Sequence, residues 1–300
     1  MLKIFRWLPV LVFVWLFVWF YIGYLFSIYY GKNSYTSNNN LISVLGRPLL
    51  ERNILFAVFN LLVIPFIWSC LKTIFKSSST PPKTFYVQGS DQDALLDVRN
   101  TDRDNNSIIE QLIDDRALPI RMVRQDGYIN FCRVCWLIKP DRSEHCSICG
   151  RFNRCIGLHN YKFFILSLMW GGMFWAYSAI TLSAIFKTIS LASVDYYKGF
   201  NPWEARVHAS VLLFTATVCA VANLSLGCYH FYLASKNQTS LEKKVKPVLR
   251  NGSYDPQVFD MGRRHNLREI FGPNIFLAML PVNTTKANGI TWHYRSVWNN

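Results

Sequence analysis

Four long stretches without an Asp, Glu, Lys or Arg constrain the fold of this 300-residue chain more than any other feature of its sequence. The stretches cover residues 7–30, 54–71, 163–186 and 207–233. Each is about long enough to cross roughly 30 Å of hydrocarbon as a helix, a structure that satisfies its own backbone polar groups in lipid. The sequence therefore predicts an all-α, multi-pass membrane protein with four transmembrane helices.

The distribution of positive charge predicts how these spans are oriented. Of the 32 Lys and Arg residues, 26 lie in the N-terminus, the 72–162 loop and the tail, whereas 6 lie in the loops 32–52 and 187–206. Because positively charged loops stay on the cytoplasmic side, we expect both termini and the 72–162 loop to be cytoplasmic, in an endomembrane or the plasma membrane. The expected regions are two spans with a lumenal loop (1–71), a cytoplasmic linker with a cysteine-rich domain (72–162), two further spans (163–233) and a cytoplasmic tail (234–300).

The net charge of +14 favours membrane lipid with anionic headgroups, and not nucleic acid, as a general partner. The charge flanks the predicted spans, and the sequence has no soluble module in which aromatic and basic residues interleave. A channel or transporter is also disfavoured, because the spans contain no acidic or basic residue and only His208 and His230 near their ends.

Short patterns outside the spans predict further helices. Ile108, Ile109, Leu112 and Ile113 recur at helical spacing within the charged segment 91–124, where nothing suggests a catalytic domain. The tail contains a helical pattern at 262–271, followed by an apolar run at 275–280 that is too short to span the bilayer. We expect this run to form an interfacial helix.

Five of the eight cysteines lie between residues 132 and 155, in the loop expected to face the reducing cytosol. Structural disulfides are rare there, so metal binding is the natural alternative. Two Cys-x-x-Cys pairs with an adjacent His provide the spacing at which thiolates converge on zinc. The candidate zinc ligands are Cys132, Cys135, His145, Cys146, Cys149 and Cys155. The alternative is a set of free buried thiols.

The residues around these cysteines form two motifs, Cys132-x-x-Cys135-x-x-x-Lys139-Pro140-x-Arg142-x-x-His145-Cys146-x-x-Cys149 and Cys155-Ile156-Gly157-x-x-Asn160-Tyr161-x-Phe163-Phe164. They resemble the two halves of the cysteine-rich domain of the Asp-His-His-Cys palmitoyltransferase family. Between these halves the family has a further cysteine and the Asp-His-His-Cys-Pro-Trp stretch. In this sequence Arg151 is followed directly by Phe152, so roughly eleven residues are missing on the family's usual ligand spacing.

Two tail segments extend the resemblance, and each has an alternative explanation. Thr239-Ser240-Leu241-Glu242 is similar to the family's Thr-Thr-x-Glu motif, although Ser/Thr-x-x-Glu is also an ordinary helix capping box. Asp260-Met261-Gly262, with Asn266-Leu267 and Phe271-Gly272, is similar to the family's C-terminal motif, in which the Asn braces the membrane-proximal core. An amphipathic surface helix would produce a similar apolar pattern.

The resemblance implies transfer of a fatty acyl group from acyl-CoA, such as palmitoyl-CoA, to an enzyme cysteine and then to a cysteine of a substrate protein. That chemistry needs a thiolate, a His that takes its proton and an acid that orients the His, and in the family these three groups lie in the missing segment. Glu144-His145-Cys146 offers the same groups in sequence, but these positions match the zinc-binding half, where the thiolate is occupied by metal. We therefore expect no catalytic residue in the chain as written.

The resemblance also implies two zinc ions, for which the missing stretch would supply one Cys and one His. The remaining ligands would then form two partial sets, one of Cys132, Cys135 and His145 and the other of Cys146, Cys149 and Cys155. Alternatively, Cys132, Cys135, Cys146 and Cys149 surround a single tetrahedral ion.

Two hypotheses of function follow. The first is a protein S-palmitoyltransferase from which splicing or gene assignment has omitted a short coding segment; the alternative is a catalytically inactive membrane zinc protein that binds acyl-CoA or partner proteins as a scaffold. In the family the acyl chain occupies a cavity among the four helices. Phe174 lies about 16 Å deeper than Phe163 and near the bilayer midplane, where its ring would close that cavity or pack against a neighbouring helix.

Overall fold

The computed structural model describes most of the chain in ten segments, which are residues 8–29, 49–76, 81–96, 102–132, 136–142, 158–191, 201–244, 248–252, 257–285 and 289–293. In chain order the described elements are α1 (Leu8–Tyr29), α2 (Leu49–Phe75), a short 3-10 helix (Lys83–Phe85), α3 (Ser90–Leu96), α4 (Asp102–Asp115), β1 (Met122–Val123), β2 (Phe131–Cys132), β3 (Leu137–Ile138), α5 (Leu158–Leu191), α6 (Pro202–Ser235), α7 (Ser240–Lys244), β4 (Val248–Leu249), α8 (Arg263–Phe271) and α9 (Ile275–Met279). They divide into two compact units. The first lies within residues 1–74 and 163–229, and the second within 75–162 and 230–300.

In the part of the chain that the structure describes, four helices are long and apolar enough to cross a membrane, and they confirm the predicted spans. Their apolar parts are Val10–Tyr29, Leu50–Phe75, Asn160–Lys187 and Trp203–Ser235. The helices extend beyond the uncharged stretches of the sequence. In α2, Glu51 lies in the first turn and Lys72 in the last turn, where each charge complements the helix dipole and allows the helix to continue.

Aromatic side chains form the core of the first unit. Tyr24 of α1 stacks on Phe59 of α2 with ring centroids 4.1 Å apart, and its hydroxyl shares a 2.8 Å hydrogen bond with Thr181 Oγ1 of α5. Both aromatic rings are fully buried. In lipid, helices associate through close packing and hydrogen bonds. The ring of Tyr24 supplies packing against α2 and its hydroxyl supplies a hydrogen bond to α5, so one residue joins three helices of the bundle.

Two adjacent glycines bring α5 close to its neighbours. A Cβ atom on Gly172 would lie 2.5 Å from Leu224 Cδ2 of α6, and one on Gly171 would lie 2.8 Å from Phe66 Cε2 of α2. Both distances are shorter than any ordinary contact between carbon atoms. The absence of a side chain at these positions therefore sets how closely α5 approaches α6 and α2.

The second unit has a small apolar core of its own. Ile109 and Ile113 of α4 are buried together with Phe85, Val87 and Ile138. The two isoleucines belong to the helical pattern that predicted a helix within 91–124. The rest of this core could not be predicted from sequence patterns, because its members are separated along the chain and none belongs to a periodic run.

Short strands connect the cysteine-containing segment to the tail. β1 pairs with β4 in antiparallel register, with Met122 opposite Leu249 and Val123 opposite Val248. β2 and β3 form a separate hairpin in which Phe131 lies opposite Ile138. Residues that precede the third span and residues that follow the fourth span thus belong to one folded unit, which contains the cysteine-bearing hairpin.

Candidate functional site

The cysteine-rich segment begins in the β2–β3 hairpin. Cys132 is buried at the end of β2 and lies opposite Leu137 of β3, so Cys135 falls in the connection between the two strands. Among the predicted zinc ligands, the others lie outside the described residues: Cys135, His145, Cys146, Cys149 and Cys155. The structure therefore positions one of the six predicted ligands.

The Cys132-x-x-Cys135 sequence has the spacing of a zinc-binding pair. Antiparallel pairing of Phe131 with Ile138 and of Cys132 with Leu137 places Cys132 at the end of β2, and thiolates separated by two residues can both reach one ion. Thiolates and imidazole are also the ligands that structural zinc prefers. Within the described ranges, no three His, Cys, Asp or Glu side chains come together as a metal site.

Asp141, three residues beyond the hairpin, ties it to the strand β1. The side chain is buried, and its two carboxylate oxygens accept hydrogen bonds from the backbone N–H groups of Arg121 (2.9 Å) and Met122 (3.0 Å). Its backbone carbonyl accepts a 3.1 Å hydrogen bond from Trp292 Nε1 near the end of the chain. Through its side chain and its backbone carbonyl, Asp141 therefore joins three segments of the second unit.

Arg142 links the cysteine-containing segment to the tail through a buried ion pair. Its Nε donates to Glu242 Oε1 at 2.7 Å and its NH2 group donates to Glu242 Oε2 at 3.0 Å, a two-pronged pairing across a separation of 100 residues. The side chains of Arg142 and Glu242 are only 3% and 7% exposed. The pair is therefore shielded from water, and either charge alone would be costly to bury.

The guanidinium of Arg142 is enclosed on its other sides as well. It lies 4.2 Å from the ring centroid of Phe259 and 4.3 Å from that of Trp292. Its NH1 and NH2 groups also donate to the side-chain and backbone oxygens of Asn237, at 2.9 and 2.6 Å. We call these five residues, Arg142, Asn237, Glu242, Phe259 and Trp292, the Arg142 cluster. The cation–π contacts and hydrogen bonds leave Arg142 a single orientation.

Asn237 receives Arg142 at the point where α6 ends. Its φ of 47° lies in the left-handed region, and Asn237 N donates to Ala234 O while Gln238 N donates to Leu233 O. This is a Schellman motif, in which Asn occupies the position that most often holds Gly. Asn237 therefore both terminates α6 and accepts hydrogen bonds from the guanidinium of Arg142.

Thr239 and Glu242 form a capping box and also belong to the Arg142 cluster. Thr239 N donates to Glu242 Oε2 at 2.8 Å, and Glu242 N donates to Thr239 Oγ1 at 3.1 Å, which caps α7. The same carboxylate then binds Arg142. The Thr-Ser-Leu-Glu sequence is therefore a helix capping box, and its Glu242 also forms the ion pair with Arg142.

Asn266 of α8 is fully buried and braces the end of α6. Its Nδ2 donates to Ser235 O at 2.9 Å and to Asp260 Oδ1 at 2.7 Å, and its Oδ1 accepts from Met261 N at 3.1 Å. Burial would raise the pKa of Asp260, but hydrogen bonds from Asn266 and Gly262 and the charge of Lys236 outweigh it, so the pKa is lowered. Asp260 therefore stays ionised and holds Asn266 in place.

Lys162 anchors a second part of the tail. This lysine lies near the start of α5 and is fully buried. Its Nζ donates to Leu277 O (2.7 Å), Val282 O (3.0 Å) and Thr284 Oγ1 (2.7 Å). Three acceptors match the three donors of an ammonium group. The segment around α9 is therefore fixed to the beginning of the third span.

Phe174 lies at the centre of the aromatic core of the first unit. It is fully buried, and its ring centroid lies 5.0 Å from that of Phe59, 5.8 Å from that of Phe66 and 4.9 Å from that of Trp175. These rings belong to α2 and α5. Phe174 therefore fills the space between α2 and its own helix with aromatic contacts.

Reasoning from the sequence singled out Thr239, Glu242 and Asn266 but gave no structural role to Arg142 or Lys162. Arg142 stands within the first cysteine motif, and Lys162 contributes to the positive charge of the 72–162 loop. The hydrogen-bond partners of these two side chains lie between 95 and 122 positions away in the sequence. In the sequence, Arg142 is a positive charge near a cysteine pair and Lys162 is a positive charge at the start of a span. Neither position indicates which distant residue the side chain contacts.

Comparison with known proteins agrees with these motifs. Residues 125–246 match the family model described as DHHC palmitoyltransferase. The chain is 28% identical over 309 residues to palmitoyltransferase ZDHHC15 of Rattus norvegicus, covering 98% of this chain and 84% of that protein. It is 30% identical over 277 residues to palmitoyltransferase ZDHHC2 of Mus musculus, covering 89% of this chain and 73% of that protein. It is 31% identical over 259 residues to palmitoyltransferase ZDHHC20-A of Danio rerio, covering 82% of this chain and 70% of that protein.

Proposed function

Because this chain belongs to the DHHC palmitoyltransferase family, we propose that it is a protein-cysteine S-palmitoyltransferase from which the catalytic segment has been omitted. The observation that carries this proposal is the junction in the sequence, where Cys149-Gly150-Arg151 continues directly into Phe152 while family-like residues stand on both sides. The 300 residues contain no Asp-His-His-Cys sequence.

The contacts that flank the junction favour omission over gradual decay. Before it, Arg142 and Asp141 are buried and bonded to the tail; after it, Lys162 is buried and bonded to three acceptors. Buried charges are tolerated only with their partners in place, so substitutions accumulating without selection would be expected to disrupt them. A contiguous loss leaves both sides intact.

The lengths of the alignments support the same proposal. The alignment with the Rattus norvegicus relative spans 309 positions but covers 98% of a 300-residue chain, so it includes positions at which only the relative has a residue. The same holds for the Danio rerio relative, with 259 positions over 82% of this chain. A segment present in the relatives and missing here would have this effect.

The reaction requires groups that the chain as written does not offer. A His must take the proton of a cysteine thiol, and the thiolate then attacks the thioester carbonyl of palmitoyl-CoA. The new S–C bond forms as the bond to the CoA sulfur breaks, and a cysteine of the substrate protein later accepts the acyl group. The residues described here touch no reacting atom: Arg142, Glu242 and Asn266 are positioning residues that hold the hairpin and tail together.

Zinc would have a structural role in this account, holding the cysteine-rich segment in its fold. We assign its ligands to the six predicted residues, of which Cys132 lies in the hairpin. Metal analysis of the purified chain under reducing, zinc-replete conditions should find at least one ion per chain. Less than half an ion would leave these residues as free thiols.

We also assign the termini and the 72–162 loop to the cytoplasm, on the charge balance of 26 to 6. In sealed microsomes, protease should remove a C-terminal tag without detergent. Protection of the tag would place the second unit on the lumenal side.

The proposed function is tested first on the transcript and then on turnover. Sequencing across the codons for Gly150 to Asn153 should reveal an in-frame segment that encodes a cysteine beside histidines. With that segment inserted after Cys149, the purified protein should transfer palmitate to a cysteine peptide, whereas a control with serine at the inserted nucleophile should not. A genome without such a segment, or an inserted chain that binds palmitoyl-CoA without turnover, would instead favour the scaffold.

A further inference from the structure

Two exposed histidines of the second unit lie side by side, away from the cysteine-bearing hairpin. His265 belongs to α8 and His293 ends the described segment 289–293, and their ring centroids are 5.9 Å apart with the ring planes at 76°. A zinc ion about 2.1 Å from an imidazole nitrogen lies about 3.2 Å from the ring centre, so two rings can share one ion when their centres are less than about 6.4 Å apart. The two imidazoles are therefore close enough to bind a single ion.

Buried neighbours fix the backbone at both histidines. Asn266 follows His265 directly and is fully buried, with its side chain hydrogen-bonded on both sides. Trp292 precedes His293 directly, and its Nε1 donates to Asp141 O at 3.1 Å. Only the exposed imidazoles have to turn for their nitrogens to meet at one point. A site whose two ligands already lie together loses little conformational entropy when it binds an ion.

Glu269 places a negative charge one helical turn beyond His265. The two residues are four positions apart on α8 and so share a helix face. Glu269 accepts a hydrogen bond from Asn237 Nδ2 at 3.1 Å, whereas its Oε1 is buried and has no hydrogen-bond partner among the described residues. A carboxylate oxygen in this state favours a cation nearby. The exposed Arg264 and Arg268 act in the opposite direction, which favours an exchangeable ion over a tightly held one.

We propose that His265 and His293 form a binding site for an exchangeable divalent transition-metal ion, with zinc as the ion we assign. Imidazole is a ligand that suits zinc, copper and nickel. Within the described ranges no third His, Cys, Asp or Glu joins the pair, so water completes the coordination. The bound ion would join α8 to the segment 289–293 and thereby hold Trp292 against the guanidinium of Arg142. The proposal does not depend on acyl transfer.

Zinc binding to the full chain in detergent tests the site. The chain is first purified under reducing, zinc-replete conditions, so that the cysteine-rich ligands are saturated in every variant. At buffered micromolar free zinc, the native chain should bind about one ion more than His265→Ala or His293→Ala. Each substitution should weaken binding of this ion by about tenfold or more, because the remaining imidazole binds without its partner. Arg264→Ala is the matched control, since it removes a neighbouring positive charge and should leave zinc binding equal or stronger.

Hydrogen exchange supplies a readout that distinguishes a chelate from an ion on a single side chain. Zinc should raise the protection of the 289–293 amides in the native chain and in His265→Cys, which keeps a zinc ligand at this position, but not in His265→Ala. Equal zinc content in the native chain and in the double variant His265→Ala, His293→Ala would overturn the proposal. Extra zinc that leaves the 289–293 amides unchanged would overturn it as well, because it would show an adventitious ion only.

Discussion

At the scale of single residues, the buried charge of Arg142 determines how the hairpin segment and the tail are joined. Its guanidinium binds Glu242 through two hydrogen bonds and lies between the rings of Phe259 and Trp292. Lysine could not reproduce this arrangement, because an ammonium group lacks the planar fork that pairs with a carboxylate and stacks on rings. The contribution of the cluster is therefore measurable by substitution.

Arg142→Ala and Glu242→Ala should each destabilise the second unit by about 3–5 kcal/mol, since each leaves an unpaired buried charge. The double variant should be less destabilised than the sum of the two. Hydrogen exchange of peptides covering 236–252 measures this local opening in the full chain. Arg124→Ala is the matched control, because the Arg124–Asp126 pair is 60% and 41% exposed and should contribute less than about 1 kcal/mol. Additive effects of the two substitutions would contradict the coupling.

The lowered pKa of Asp260 predicts sensitivity to acid. Its stabilising effect is complete above the ordinary Asp pKa of about 3.9 and is lost as the pH falls through the lower value of the folded state. Asp260→Asn should therefore weaken the protection of the α8 amides from hydrogen exchange at neutral pH. The difference in this protection between the variant and the native chain should shrink below about pH 4. Hydrogen exchange across this pH range measures the difference. A difference that does not change with pH would show that the carboxylate charge is unimportant.

At the scale of helices, close packing at Gly172 predicts a steric requirement. Gly172→Ala should destabilise the bundle by about 1–3 kcal/mol, because the new methyl group would collide with Leu224 Cδ2 and Cγ. Gly227→Ala is the control, since its Cβ would meet the flexible side chain of Met169 at 3.1 Å. Thermal unfolding in detergent should show the larger loss for Gly172→Ala, and adding Leu224→Ala should restore part of it. Equal losses at the two glycines would contradict this packing.

The position of Phe174 leads to a prediction about acyl-chain length. In a chain that carries the catalytic segment, Phe174→Ala should remove a ring from the aromatic core and shift preference toward longer acyl-CoA substrates. Phe214→Ala is the control, because Phe214 on α6 is 71% exposed. Competition between acyl-CoA chains of different length measures the preference. An unchanged profile for Phe174→Ala would assign the ring to helix packing alone.

The spans could be predicted from the sequence because length and apolarity are local properties. The core around Ile109, Ile113 and Ile138 was largely missed, since it draws single residues from 85 to 138 and only the α4 isoleucines recur at a regular spacing. The same reason applies to the site. Thr239, Glu242 and Asn266 could be selected by motif, but no local pattern shows that Arg142 reaches Glu242 or that Lys162 reaches Leu277.

At the scale of the whole molecule, membership of the family and the sequence junction raise the question of whether the 300-residue chain can form an acyl-enzyme. The second unit retains buried contacts from both sides of the junction, including those of Arg142 and Lys162. The cysteines of the 132–155 segment are assigned to metal binding, and a lone thiol with its usual pKa of about 8.5 is only a few per cent thiolate at neutral pH. The 300-residue chain should therefore form no acyl-enzyme, whereas the chain with the segment restored should form one.

Labelled palmitoyl-CoA given to both purified forms in detergent tests this most directly, with hydroxylamine used to identify a thioester. The account predicts hydroxylamine-sensitive labelling only of the form that contains the inserted segment. Strong labelling of the uninserted chain, abolished by substitution of Cys146 or Cys155 while the fold survives, would contradict it, because a cysteine assigned to zinc would then be the nucleophile.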